Sequence, residues 1–266
     1  MKIASKLWKT ALAATAVLSL TACSSSGKAD ASASTAASSS DKAQEIVIGI
    51  SPDYPPFDTL DDNKNLTGFD YDMGEWLFKW MNENGYNYDH TWKQMSFDTI
   101  VSAIQTDQVD LGISGFTYSE DRKVEWSDPY SGSKQVALVT ADSDLKTTDD
   151  LKGKHLGAQI SSTGADAAKE IDSDAEIVEN MQNSVASLKA GQLDAVVLDE
   201  AVANSYADSG EFKVLDGSLL DEEQHIIAKE GNTELMDAVN KALKAFMESD
   251  DYKDLCDKWG VSPYNG

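Results

Sequence analysis

Histidine and the residue patterns of common catalytic sites are scarce in this sequence. Only three histidines occur among 266 residues, and His90, His155 and His225 do not have the spacing of metal ligands. No His-Glu-x-x-His pair, Gly-x-Ser-x-Gly turn or phosphate-binding glycine loop is present. We therefore expect no metal, no cofactor and no catalytic activity. The many carboxylates leave one alternative open, which is an acid–base pair of an enzyme.

Positive charge is also scarce, since 22 basic side chains stand against 46 acidic ones and the formal net charge is -24. Such a surface repels phosphate backbones, so nucleic acid is excluded as a partner. We interpret the acidity as a means of solubility. The acidic loop at residues 61–65 has some likeness to a calcium-binding loop. Leu66 stands where that motif needs glycine, which predicts a solvated turn.

A long apolar run occurs only near the N-terminus, at residues 11–20, after three lysines among the first nine residues. This run is too short for a settled membrane span and is typical of an export signal. It ends in Leu-Thr-Ala-Cys at residues 20–23, which resembles a bacterial lipobox. We predict a lipoprotein signal peptide at residues 1–22 and a lipid-modified Cys23. The alternative is a simple export signal with an incidental cysteine.

Cysteine is nearly absent, with two in the whole chain. If Cys23 carries lipid, Cys256 has no partner, and no intramolecular disulfide is expected despite export. Cys256 is predicted to be a small buried residue of a C-terminal helix. Residues 23–44 are predicted to be the lipidated cysteine and a flexible tether rich in serine and alanine. This arrangement places the protein outside the cytoplasm, anchored to a membrane by lipid.

Beyond residue 45, apolar residues recur alternately with the period of strands and of helices. One helix is predicted to be capped by Asp70 and to end at Asn84 and Gly85. The alternation indicates an α/β fold around a mostly parallel sheet. A helix, a turn and a strand occur twice, at residues 97–114 and 184–199, which indicates two lobes. We predict lobe 1 at residues 45–138 and 230–266, lobe 2 at residues 139–229, and crossing segments near residues 136–140 and 226–229.

Polar and aromatic residues follow four of the predicted strands. Ligands of open α/β sheets collect beyond the carboxyl ends of strands, so we expect these residues to face one another across a cleft between the lobes. The predicted ligand-binding residues are Ser51, Asp53, Tyr54, Phe57, Phe97, Ser114, Gly115, Thr117, Arg122, Gln159, Ser162, Thr163 and Asp199.

This set suits a free amino acid, which carries two opposite charges. Arg122 offers a guanidinium fork to a carboxylate, and residues 162–164 offer N–H groups at a helix start. Asp199 offers a carboxylate to an ammonium group, and Gly115 offers a carbonyl. Each side chain also has a structural alternative, since Arg122 can be a surface charge and Asp199 a helix cap.

Several of these segments resemble one known family along residues 45–264. Tyr-Pro-Pro-Phe at residues 54–57 and Gly-Phe-Asp-Tyr-Asp at residues 68–72 are typical of it. The most specific match is Val-Asp-Leu-Gly-Ile-Ser-Gly-Phe-Thr at residues 109–117, followed by Arg122. The chain thus resembles the amino-acid-binding proteins of ABC importers, the family 3 extracellular solute-binding proteins. The resemblance implies a periplasmic-binding-protein-like fold with a hinge and an interlobe cleft, a monomer, and delivery of ligand to a membrane permease.

The same resemblance implies a role for individual residues. Arg122 and Thr117 would hold the ligand's α-carboxylate, with Thr163 and Ser162 completing that site from the second lobe. Asp199 and the carbonyl of Gly115 would hold the ammonium, while Tyr54 and Phe57 would line the side-chain pocket. The chain departs from many relatives at Ser161, where they have glycine.

Ligand choice is predicted to depend on Ser51, Asp53, Phe97 and Gln159. Some relatives that bind cationic ligands have aspartate where this chain has Ser51, while Gln159 suits a polar side chain through hydrogen bonds. The hypothesis is a polar amino acid, with glutamine or arginine first. Two alternatives stay open, which are a ligand sensor for a signalling receptor and a dehydratase-like enzyme on the same fold.

Overall fold

The structure is a computed structural model, and it describes residues 42–264. The predicted signal peptide, Cys23 and residues 23–41 of the predicted tether lie outside the described residues. The first strand begins at Gln44, where the predicted tether ends. No helix in the described part of the chain is long and apolar enough to cross a membrane.

Strands and helices alternate along residues 42–264. The strands are β1 (Gln44–Ile50), β2 (Thr59–Leu60), β3 (Leu66–Thr67), β4 (Tyr88–Gln94), β5 (Leu111–Thr117), β6 (Val124–Trp126), β7 (Ser131–Thr140), β8 (Leu156–Gln159), β9 (Glu176–Val178), β10 (Ala195–Asp199), β11 (Phe212–Val214) and β12 (Leu220–Lys229). The helices are α1 (Phe69–Glu83), α2 (Phe97–Gln105), α3 (Thr163–Ile171), α4 (Met181–Lys189), α5 (Glu200–Ala207), α6 (Thr233–Met247) and α7 (Asp250–Trp259), with a 3-10 turn at Thr148–Leu151.

One sheet runs in the order β4-β1-β5-β12-β7-β10-β8-β9, with β6 added beside β12 and β11 beside β7. The strands β4, β1 and β5 are parallel to one another, as are β10, β8 and β9. The two long central strands β12 and β7 pair antiparallel with each other and with their outer neighbours. The sheet was predicted to be mostly parallel, and it is parallel only within each half. The two central strands run antiparallel because the chain passes from the first half to the second in one of them and returns in the other.

The two central strands connect the halves. Residues 224–228 of β12 pair with β5 of the first half, whereas residues 220–224 pair with residues 131–135 of β7. This pairing supports a connection N-terminal to the predicted positions at residues 136–140 and 226–229, where the chain forms largely buried strand segments. We propose that the lobe boundaries lie at the paired segments.

Helix α1 begins differently from the prediction. Gly68 stands at its N-cap position, and Asp70 is inside the first turn and fully buried. The Asp70 carboxylate accepts hydrogen bonds from Gly115 N at 2.7 Å and from the Tyr130 hydroxyl at 2.9 Å. The prediction of an Asp70 cap was wrong, because this carboxylate binds a distant strand instead of its own helix. The helix ends at Asn84, as predicted.

The core consists of three clusters of buried apolar side chains. One contains the inward faces of α1 and α6, a second surrounds α3 in the second half, and a third lies between α2 and β5. Cys256 is buried in α7 as a free thiol, which confirms its predicted position.

Candidate functional site

Loops that follow the sheet strands of both halves meet between the two halves. Nine of the thirteen predicted ligand-binding residues line one small cavity there. The lining residues are Tyr54, Phe97, Gly115, Thr117, Arg122, Gln159, Ser162, Thr163 and Asp199. The sequence separates these residues widely, and the sheet order brings them together.

Arg122 joins the two halves at one end of this cavity. Its guanidinium donates to the carbonyl oxygen of Thr117 at 2.5 Å and to that of Ser161, in the opposite half, at 2.7 Å. The same group lies 5.7 Å from the ring centre of Phe97 and 5.4 Å from that of Phe116. Burial lowers the pKa of Arg122 from its ordinary value. Because arginine remains charged even so, this end of the cavity holds a fixed positive charge.

Hydroxyl groups and a helix start lie beside Arg122. The Thr117 and Thr163 hydroxyls are hydrogen-bonded at 3.0 Å across the two halves. Thr163 is the first residue of α3, and the N-cap residue Ser162 accepts a bond from Ala165 N at 3.0 Å. The first N–H groups of a helix carry partial positive charge and attract anions. This end of the cavity is thus suited to a carboxylate.

Ser161 precedes this helix start in the left-handed backbone region, with φ 64°. That conformation favours glycine. The Ser161 carbonyl oxygen accepts a hydrogen bond from Arg122 at 2.7 Å.

Asp199 supplies negative charge to the same cavity. It is the last residue of β10 and only 4% exposed. Its carboxylate accepts hydrogen bonds from the hydroxyls of Tyr54 and Ser133. Burial raises its pKa above the ordinary value for aspartate, and these hydrogen bonds act in the opposite direction. A buried carboxylate in this state is stabilised by a cationic partner.

Two buried carboxyl groups position the loop at Gly115. The Asp70 carboxylate accepts a hydrogen bond from Gly115 N, and the Asp58 carboxylate accepts one from the Ser114 hydroxyl at 2.7 Å. The Ser114 hydroxyl in turn accepts from Ser51 N at 3.1 Å. Burial raises the pKa of Asp70 to about 7 and that of Asp58 well above its ordinary value. Ser51 and Ser114 thus support the cavity from behind and do not line it.

Phe57 and Asp53 also differ from expectation. Phe57 is 1% exposed and packs between Tyr54 and Phe69, with ring centres 6.5 and 6.3 Å away, so it belongs to the core. The prediction that it lines the pocket was therefore wrong, because its ring points away from the cleft into this aromatic cluster. Asp53, which was predicted to bind the ligand, is buried against Gln159 of the opposite half and does not line the cavity.

Three residues near the cavity had not been predicted: Ser133, Gln135 and Glu222, all on the central strands. Gln135 donates to Glu222 at 3.0 Å, and the Thr163 hydroxyl donates to the same carboxylate at 3.0 Å. The sequence gives only a weak indication that these three residues lie near the cavity. Ser133 and Gln135 alternate just before an apolar run, which indicates one polar face of a strand. No group of three or more metal-binding side chains occurs among residues 42–264.

This α/β protein consists of two halves that are joined by two crossing strands, and a charged cavity lies between them. This is the architecture of a two-lobed periplasmic binding protein. Residues 46–262 match the family model of bacterial extracellular solute-binding proteins, family 3, and the chain belongs to this family. The resemblance proposed from the sequence is thereby confirmed.

Similar proteins of known name support the same class. The arginine-binding extracellular protein ArtP of Bacillus subtilis is 29% identical over 96% of this chain and 98% of its own length. The arginine-, lysine-, histidine-binding protein ArtJ of Geobacillus stearothermophilus has a solved structure that is 31% identical, with a TM-score of 0.75, over 83% of this chain and 97% of that one. An ancestral arginine-binding protein bound to glutamine is 33% identical, with a TM-score of 0.73, over 81% and 97% of the two chains.

Proposed function

We propose that this protein captures a free polar amino acid outside the cytoplasm and delivers it to the permease of an ABC transporter. The observation that carries the proposal is the presence of opposite charges in one small cavity. Arg122, the Thr117 and Thr163 hydroxyls and the Asp199 carboxylate all line it. An α-amino acid carries its carboxylate and its ammonium on the same carbon atom, and few other small solutes present both charges so close together.

The division of these groups between the halves couples capture to closure. Arg122, Thr117 and Gly115 belong to the first half, whereas Thr163 and Asp199 belong to the second. A ligand shifts an open–closed equilibrium only through contacts that it gains in the closed form. The ligand therefore favours closure by touching Asp199 and Thr163 while it stays bound to Arg122. Hinge closure about two crossing strands is the motion that such binding proteins use.

The ligand's side chain would lie among Tyr54, Phe97 and Gln159. The two aromatic rings offer flat surfaces, which suit the methylene groups of a long side chain. The Gln159 amide nitrogen donates to Asp53 and to the Glu179 carbonyl, so its carbonyl oxygen is the group that can accept a hydrogen bond from the ligand. Arginine and glutamine combine an apolar stem with a planar polar end, so we propose these two first. The names of the similar proteins, which include arginine binding and a complex with glutamine, support this choice.

A thermal-shift panel against all amino acids tests this proposal on a chain that starts at Asp41, since residues 41–266 form one compact unit. A ligand at a thousand times its dissociation constant stabilises by about 4 kcal/mol. For a chain of this size, Tm should rise by roughly 8 to 16 °C, at about 2 to 4 °C per kcal/mol. We expect that rise with arginine, glutamine or both, and a far smaller one with the aliphatic amino acids.

The panel also has outcomes that contradict the proposal. A large rise with only branched aliphatic amino acids would refute the choice of a polar ligand. No rise with any amino acid, in protein shown to be folded and stripped of ligand, would refute the proposed function itself. Recovery of the ligand after incubation separates binding from catalysis, because a binding protein returns it unchanged and an enzyme does not.

We also propose that the mature protein is a monomer held at the membrane by lipid on Cys23. The Leu-Thr-Ala-Cys sequence at residues 20–23 and the apolar run before it support this anchor. Cys23→Ser should shift the protein from the membrane fraction to the soluble fraction and abolish labelling by a radioactive fatty acid. Cys256→Ser is the matched control, and it should change neither result. Labelling that persists in Cys23→Ser would refute the anchor.

A further inference from the structure

Asp53 connects the two halves at a point outside the ligand cavity. It follows β1 in the first half and is 7% exposed. One carboxylate oxygen accepts a bond from the Ser51 hydroxyl of the same half at 2.8 Å. The other oxygen accepts from the Gln159 amide and from Met181 N, both in the second half and both at 3.1 Å. A single carboxylate is thus bonded to both halves at once.

The bond to Met181 completes the N-terminus of a helix. Met181 is the first residue of α4, and the side chain at its N-cap position, Asn180, makes no capping hydrogen bond. A carboxylate that accepts a first-turn N–H group satisfies an otherwise unpaired donor and complements the helix dipole. In this protein the carboxylate comes from the opposite half. Helix α4 therefore acquires this hydrogen-bond partner only when the two halves meet.

We propose that Asp53 is an interlobe latch, a residue that favours the closed form by capping α4 from the opposite half, whichever amino acid is bound. The proposal rests on the function proposed above, and it replaces the predicted role of Asp53 in recognising the ligand's side chain. Asp53 does not line the cavity, and its oxygens are bonded to protein donors.

The latch and a direct role in recognition differ in how they depend on the ligand. Latch contacts form on closure regardless of the ligand's side chain, so their loss lowers the affinity for every ligand by the same factor. A counter-ion to a cationic side chain would matter for arginine and not for glutamine. The latch should also act chiefly on the dissociation rate, because the ligand leaves after the halves separate.

The test compares Asp53→Asn with the intact protein by calorimetry and stopped-flow fluorescence, using arginine and glutamine as probes. We expect affinity for each probe that binds to fall about tenfold, by the same factor for both, and mainly through faster dissociation. Asp89→Asn, which removes an exposed carboxylate of the same half away from the cleft, should have no effect. A loss for arginine alone, or no loss for either, would overturn the proposal.

Two further measurements make the test independent of helix stability and of the ligand. Asn180→Asp, added to Asp53→Asn, caps α4 from within its own half and should not restore affinity, whereas restoration would show a purely local role. Spin labels at Asp62 and Ser173, exposed positions of opposite halves, report the distance between the halves. In ligand-free protein, Asp53→Asn should reduce the short-distance population. An unchanged short-distance population would refute the latch, and this result does not require any amino acid to bind. If neither the intact protein nor Asp53→Asn bound an amino acid, only the proposed function would be refuted.

Discussion

Arg122→Ala should abolish amino-acid binding and leave the fold intact. The ligand's carboxylate would then enter a buried site without its cation, and breaking a buried charge pair costs about 3–5 kcal/mol. Affinity should fall on the order of a hundred- to several-thousand-fold, since each 1.4 kcal/mol is about tenfold. Calorimetry with the ligand found in the panel measures this loss, and circular dichroism checks the fold.

Matched variants separate the ligand contact from the bridge that Arg122 itself makes. Arg122→Lys keeps the charge and loses the planar fork, so it should bind with intermediate affinity. Lys123→Ala removes a neighbouring charge whose amine donates to the Glu120 carbonyl, and it should behave as the intact protein. A ligand analogue with an amide in place of the carboxylate should bind Arg122→Ala and intact protein with similar affinity. If the natural ligand binds Arg122→Ala with unchanged affinity, the proposed carboxylate site is wrong.

The cavity was largely predictable because its residues follow strands with strong apolar patterns. Tyr54, Thr117 and Asp199 each stand just beyond or at the end of a buried strand, and the geometry of α/β sheets brings such ends together. The start of α3 was predictable for a similar reason, since the Ser162 hydroxyl caps this helix. Local sequence is sufficient in these cases, since each residue's role depends on its own element.

The features that could not be predicted from the sequence depend on contacts between residues that are far apart in the chain. Asp53 is 128 positions from Met181, and Asp70 is 45 positions from Gly115. A carboxylate after a strand or at a helix start has the same local pattern whether it caps its own helix or binds another element. The crossing segments depend in the same way on strand pairing between distant residues. Their polar faces, with Gln135 and Glu222, are explained only by the cleft above them.

Asp199→Asn should abolish the response to ligand without weakening the ligand-free protein. The substitution keeps the size of the side chain, and the hydroxyls of Tyr54 and Ser133 can each donate or accept a hydrogen bond. It removes a buried charge that the ligand's ammonium would compensate. The thermal shift with ligand should be lost, and affinity should fall on the order of a hundredfold, for about 3 kcal/mol. Without ligand, Tm at neutral pH should equal or exceed that of the intact protein.

The pH dependence gives this prediction a second readout. Because burial raises the pKa of Asp199 in the ligand-free protein, the carboxylate takes up a proton at a higher pH than it does in the unfolded chain. The ammonium needs the ionised form, so affinity should be full above the raised pKa and fall as pH decreases through it. Asp199 contributes to ligand-free stability with the opposite sign: its contribution is present at low pH and is lost as pH rises through the same pKa.

Asp199→Asn should remove both of these pH-dependent contributions, whereas Glu200→Gln, a change of the adjacent carboxylate, should leave them as in the intact protein. Calorimetry between pH 5 and 8 measures the affinity, and thermal unfolding without ligand measures the stability. A variant that keeps tight binding would show that the ammonium is held elsewhere. One that binds weakly but keeps the acid-dependent loss of affinity would assign the titration to Asp58 and Asp70. In that case the two buried carboxyl groups behind Gly115 would couple protons to capture of the ligand.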